Sequence, residues 1–210
     1  MKHLSPALKL LAAFALLAGS GASLATITTF TDQAAFTAAV HLPGVDTYAG
    51  LNAGAPAPSP FVRSAGPYTY QGAASTTTFF IVDNGSGPAL STNTATDTIT
   101  FSNFGPIPVA AIGGNFYITN ISGQVVTGDV AVTATDADGP VAVTVVNGLA
   151  TSFRGFVSNG VITSLTVKAV ALNFPTVDNL TLGVLAPPVD DVFADGFESI
   201  EVAAPPVPTP

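Results

Sequence analysis

The chain has 210 residues, 48% hydrophobic and only 9% charged, with five basic residues against thirteen acidic ones and a formal net charge of −8. It contains neither Cys nor Trp, which excludes a disulfide scaffold, thiolate metal sites and thiol nucleophiles. Nucleic acid and anionic membrane surfaces need clustered Lys and Arg, which this composition does not supply. The length fits one domain with a sizeable core.

Lys2, His3 and Lys9 precede or flank an apolar run over 10–18, and small residues follow, ending Ser23-Leu-Ala25. A basic start, a short apolar stretch and a small-x-small site in that order predict a secretory signal peptide over 1–25, cleaved after Ala25. The competing reading is a buried N-terminal helix; the run is short for a membrane span. Cleavage leaves Arg63, Arg154 and Lys168 against all thirteen acids, a net −10. Such a chain is soluble but self-repelling.

One helix is expected, over 31–40. Thr31 is its capping residue, Asp32 lies in its first turn, Phe36 and Val40 share a face, and Pro43-Gly44 ends it. It should close one end of the domain. Residues 52–60 are rich in Ala, Pro and Gly and read as a loop.

From Pro67 onward, short blocks rich in Thr and Val alternate between faces, as half-buried strands do. They fall at 68–70, 77–82, 97–101, 109–119, 129–135, 141–146, 152–157, 161–167 and 176–182, separated by turns such as Asp83-Asn-Gly-Ser-Gly-Pro88 and Asp136-Ala-Asp-Gly-Pro140. Many short strands with no βαβ alternation predict an all-β fold: an antiparallel jelly-roll-like β-sandwich with one short N-terminal helix. The sandwich domain is expected over 26–186. Residues 187–210 form an acidic and Pro-rich C-terminal tail carrying Asp190, Asp191, Asp195, Glu198 and Glu201.

Four blocks in order carry a resemblance: Phe30-Thr-Asp-Gln-Ala-Ala-Phe36, Pro108-Val-Ala-Ala-Ile-Gly-Gly-Asn-Phe-Tyr117, Ser152-Phe-Arg-Gly-Phe-Val-Ser158 and Pro175-Thr-Val-Asp-Asn-Leu-Thr-Leu-Gly183. Together they resemble the secreted β-sandwich proteins of Gram-negative bacteria that carry PEP-CTERM-type sorting signals. The resemblance implies a jelly roll similar to carbohydrate-binding modules and lectins. The PEP-CTERM anchor itself (Pro-Glu-Pro, an apolar helix and a basic end) has no counterpart over 187–210. There Asp190-Asp-Val-Phe-Ala-Asp-Gly-Phe-Glu198 looks like a short C-terminal tag of secreted gammaproteobacterial proteins. Jelly-roll binding modules often hold a structural calcium between their first and last strands. The resemblance therefore implies Asp46 and Asp178 as metal ligands, although Ala49 and Gly50 stand where related sequences carry a further acid. The alternative for Asp178 is a carboxylate bonding backbone amides at a strand end.

The catalytic inventory is thin. His41 has no partner motif, and no nucleophile elbow, zinc-binding helix or phosphate loop is present. Asp136-Ala-Asp138-Gly139 begins like a calcium loop but lacks the closing Glu, so a hairpin turn is the simpler reading. Asp83, Asp97 and Asp178 have turn or strand-end explanations. Gly113, Gly114 and Gly155 lie within strands and imply a bulge or a close approach. Tyr48, Tyr68, Tyr70 and Tyr117 are the only amphipathic rings that could stack on sugar.

The expectation is a secreted, non-enzymatic protein of the cell envelope or extracellular matrix. Its expected partner is extracellular polysaccharide or an envelope component, without nucleic acid and without a transmembrane anchor after cleavage. A purely structural surface protein with a C-terminal secretion or attachment tag is the alternative. A carboxylate-dependent glycoside hydrolase is a weaker one.

Overall fold

The computed structural model describes residues 25–187. The expected signal peptide and C-terminal tail lie outside the described residues, apart from Ala25 and Pro187.

Two antiparallel sheets face each other. In chain order the elements are β1 (Ile27–Phe30), α1 (Gln33–Ala38), β2 (Val40–Asp46), β3 (Pro56–Ala57), β4 (Phe61–Ala65), β5 (Tyr68–Ala74), β6 (Phe79–Asp83) and β7 (Pro88–Thr92). They continue with β8 (Thr98–Gly105), β9 (Ala111–Thr119), β10 (Val125–Val126), β11 (Gly128–Asp136), β12 (Gly139–Gly148), β13 (Phe153–Ser158), β14 (Ser164–Ala169) and β15 (Phe174–Leu185). The first sheet runs β1-β13-β9-β15-β7-β6-β3, with β10 on β9 and β2 on the C-terminal half of β15. The second runs β12-β11-β14-β8-β5-β4. The chain is therefore an all-β antiparallel sandwich with one short helix, as its composition and turn spacing predict.

The inner faces meet in one apolar layer. Ile112, Phe116, Ile118, Val177 and Leu182 come from the first sheet; Ile99, Phe101, Val130, Val132, Leu165 and Val167 come from the second. Alternation drives this: in β11 the residues Val130, Val132 and Ala134 are buried while Ala131 and Thr133 are half-buried. Burying each such side chain contributes about 1.5–3 kcal/mol. Aromatic rings fill the end near β4 to β6, with Phe61 against Phe79 at 4.8 Å and Tyr70 against Phe101 at 5.6 Å between centroids.

The helix departs from expectation in four ways. It spans six residues, its N-cap is Asp32 rather than Thr31, and Asp32 Oδ1 accepts from the Ala35 backbone N–H at 2.7 Å. Pro43-Gly44 does not end it; both lie inside β2, an edge strand that tolerates a missing N–H. Nor does it cap an end of the sandwich. Phe36 packs with Val40, Ala111, Phe153 and Val157 in a separate cluster on the outer face of the first sheet.

The strand glycines explain that placement. A Cβ on Gly155 would collide with the Phe36 ring, and one on Gly113 would meet Phe153 Cζ at 2.9 Å and Phe36 Cζ at 3.1 Å. Gly113 and Gly155 admit an aromatic ring onto the sheet, whereas Gly114 lies at a register shift between β9 and β15, where a Cβ would meet the Asp178 backbone oxygen at 3.1 Å.

Strands β1, β2, β4, β7 and β10 are additional to those read from the sequence, and the 52–60 loop contains the two-residue β3. The 136–139 turn is a hairpin: Asp136 pairs with Gly139, and Asp136 Oδ1 accepts the Asp138 N–H at 3.0 Å.

Candidate functional site

Three segments converge beside the junction of β2 and β15. β2 ends at Asp46, and the chain turns through Tyr48, whose φ is +54°. The β6–β7 connection supplies Asn84, Ser86 and Gly87. β15 carries a register shift between Asp178 and Thr181, with Asn179 at φ +52°. Asn tolerates the left-handed region; a bulky Tyr does so only when its surroundings over-determine it.

Between these segments lies a recess of about 330 Å³ lined by Thr47, Ala49, Ser86, Gly87, Pro88, Asp178 and Asn179. Its polar wall is tied down from behind. Asn84 Nδ2 donates to Asp178 Oδ2 at 2.7 Å, and the Asn179 backbone N–H donates to Asp178 Oδ1 at 2.7 Å. Asn179 Nδ2 donates to Asn115 Oδ1 at 3.1 Å. Burial pushes the Asp178 carboxyl above the usual carboxylate range, and the bonds from Asn84 and Asn179 only partly offset it.

Next to the recess is a second, closed network. The Arg63 guanidinium grips Asp46 through Nε–Oδ2 at 2.7 Å and Nη2–Oδ1 at 2.8 Å. Tyr70 Oη–H donates to Asp46 Oδ2 at 2.6 Å, and the Tyr48 backbone N–H donates to Asp46 Oδ1 at 2.8 Å. Arg63 also lies 5.6 Å from the Tyr48 ring centroid, a cation–π geometry. Tyr48 Oη is buried without a hydrogen-bond partner. Burial raises its pKa well above the phenol value, and the charges of Tyr70, Asp46 and Asp178 add to that.

The two acids implied by the resemblance thus lie close along one ladder. Asp46 pairs with Leu180, two residues beyond Asp178. Their donor set does not fit calcium. Both oxygens of Asp46 are occupied by a guanidinium and two further donors, and a cation there would sit beside Arg63. Asp178 accepts one bond on each oxygen, from Asn84 Nδ2 and the Asn179 N–H, and keeps acceptor capacity toward the recess, but it is a single carboxylate. No group of three or more His, Asp or Glu among the described residues converges as a metal cage. Nor do the two acids offer the free acid and base that glycoside hydrolysis needs.

The remaining sequence candidates lie elsewhere. Asp97 accepts hydroxyl bonds from Ser75, Thr76 and Thr77. Asp83 Oδ1 accepts the Gly85 N–H at 2.9 Å in the turn. His41 is exposed on β2. All four Tyr residues are core residues, none above 1% exposed, so they form no stacking platform. Arg63 and Asn84, which organise the acids, escaped the sequence reading. Arg63 carried a usable signal: it occupies an inward position of Phe61-Val-Arg-Ser-Ala65, and a charge there demands a counter-ion.

The fold and site define an antiparallel β-sandwich with a polar recess at one edge. No protein-family model matches the chain, and no curated protein matches it.

Proposed function

We propose that the protein is a secreted, non-enzymatic β-sandwich of the cell envelope or extracellular matrix that holds one saccharide unit of an extracellular polysaccharide in the recess beside Asp178. The observation that carries this reading is the recess wall. A carboxylate, a side-chain amide, the Ser86 and Thr47 side chains and loop backbone converge on a volume suited to a single sugar ring, and such groups match the alternating donors and acceptors of a polyol. The signal-peptide pattern and the resemblance to secreted PEP-CTERM-type proteins support the same location. The non-enzymatic part rests on Asp46, whose charge is neutralised by Arg63.

Binding of the chain beginning at Thr26 to a glycan array, followed by calorimetry on the best ligand, tests the reading. Ser86→Trp fills the recess from an exposed loop and should abolish binding without lowering the melting temperature. Affinity should also fall on acidification through the raised pKa of Asp178, because protonation removes an acceptor. Unchanged binding by Ser86→Trp overturns the assignment of the recess.

The second reading, a purely structural surface protein with a C-terminal tag, is favoured by one observation: all four Tyr side chains are internal. Absence of binding to any glycan on the array supports it.

A further inference from the structure

At the opposite end of β1 from its turn into α1, the chain emerges beside the β11–β12 hairpin. Ala25, Thr26 and Ile27 line a recess of about 270 Å³ together with Asp136, Asp138, Gly139, Pro140 and Val141. The Thr26 backbone nitrogen donates to Asn159 Oδ1 at 2.7 Å. Asn159 directly follows β13, which pairs with β1 through Ile27 and Ser158. Ser158 in turn is fixed by two bonds: its hydroxyl donates to Asp136 Oδ2 at 2.7 Å and accepts from the Gly160 N–H at 2.9 Å. The position of the Thr26 nitrogen is therefore set by the sheet and by a buried carboxylate, not by the residues that precede it.

The charge around that nitrogen is one-sided. Two carboxylates face the recess from the hairpin, and no Lys, Arg or His lines it among the described residues. The β13 end contributes only the neutral Ser158 and Asn159.

We propose that cleavage between Ala25 and Thr26 completes this corner of the fold: the α-ammonium of Thr26, held by Asn159, becomes the counter-ion of Asp136 and Asp138. Hydrolysis of the Ala25–Thr26 peptide bond consumes one water. It leaves a carboxylate on the departing segment and, after protonation, an ammonium with three donors where the peptide had one. The new charge appears where the sheet already aims that nitrogen at an acceptor, Asn159 Oδ1. The removed leader is thereby coupled to the stability of the mature domain. This inference rests on the secretion reading for the cleavage position alone; the docking geometry is independent of it.

The test has two arms. Intact mass and N-terminal sequencing of the exported protein give the cleavage position, and an N-terminus other than Thr26 overturns the cleavage step. Separately, the chain is released from an N-terminal fusion so that it begins at Thr26, and is compared with its N-acetylated form. The α-amino group should titrate about half a unit to one unit above its ordinary 7.7–8.0. A folded-state pKa raised above the unfolded one stabilises below the unfolded value and is lost as the pH rises through the folded value. The free-amine form should therefore melt about 1–3 °C above the acetylated form at pH 6. The gap should close above about pH 9 and shrink in 1 M salt. Asp138→Asn, in an exposed turn, should bring the α-amino pKa back toward normal while the fold is retained. An ordinary α-amino pKa in the wild-type chain, unchanged by Asp138→Asn, overturns the docking.

Discussion

The Arg63 guanidinium and the Asp46 carboxylate join the two sheets of the sandwich. Arg63 lies on β4 of one sheet and Asp46 at the end of β2 on the other, and two parallel bonds of 2.7 and 2.8 Å connect them. Asp46 is 4% exposed and Arg63 22%. Tyr70 adds a third bond across the same gap. A planar fork suits this task better than an ammonium would, because it satisfies both oxygens at once.

Removing the cation should be costly. Arg63→Ala leaves a buried carboxylate with only Tyr70 Oη and the Tyr48 N–H. Loss of one partner of a buried pair costs about 3–5 kcal/mol, which urea unfolding would read as a lower midpoint. The double variant Asp46→Asn with Arg63→Ala should recover part of that loss, since the stranded charge is gone. A cost below about 1 kcal/mol for Arg63→Ala would mean that the pair behaves as a surface ion pair.

The Phe36 ring and Gly155 form a second dependent pair. Gly155→Ala places a methyl group into the Phe36 ring, and neither the strand nor a helix of one and a half turns yields easily. Overpacking of this kind costs about 1–3 kcal/mol. In a Phe36→Ala background the same substitution should be nearly neutral, because the obstacle has been removed. Equal costs in both backgrounds would show that β13 itself, not the ring, rejects the methyl.

Asp97 sets an acid limit. Burial alone would raise its pKa, but the hydroxyls of Thr76, Ser75 and Thr77 and the Thr77 backbone N–H outweigh that and hold it below the usual carboxylate range. A depressed folded-state pKa gives stability that is present above the unfolded value, near 3.9, and is lost as the pH falls through the folded value. Melting temperatures between pH 2 and 6 should show this loss in the wild type. Asp97→Asn should be less stable at pH 6 and flatter below pH 4. Parallel acid profiles for the two proteins would remove Asp97 from the account.

How far the sequence was legible follows from where its signals are local. β11 and β12 were readable because Val130-Ala-Val-Thr-Ala134 and Val141-Ala-Val-Thr-Val145 alternate and an Asp–Gly turn joins them. β2 was not, because Pro43 and Gly44 interrupt it and its ladder partner β15 is more than a hundred residues away. Tyr68 and Tyr70 were among the rings that could stack on sugar; they share a face, but that face is the core. Alternation says which residues lie together and not which side faces water. Asp46 and Asp178 lie close along the β2–β15 ladder. Their partners Arg63 and Asn84 come from non-local packing, 17 and 94 residues away, and no spacing rule reaches that far.

Calcium provides the last contrast. A site with a Kd near 1 mM would raise stability by about 1.4 kcal/mol in 10 mM calcium, a shift of a few degrees in a chain of this size. With Arg63 seated on both oxygens of Asp46, the wild-type melting temperature should be the same in EDTA and in 10 mM calcium. Arg63→Ala frees those oxygens and leaves Asp46 and Asp178 close along the β2–β15 ladder without a cation. In that variant calcium should restore part of the lost stability, and magnesium, which demands tighter octahedral geometry, should restore less. A wild-type rise of several degrees in calcium would mean that the ion binds elsewhere or displaces Arg63, and the Asp46→Asn and Asp178→Asn variants would separate those two cases.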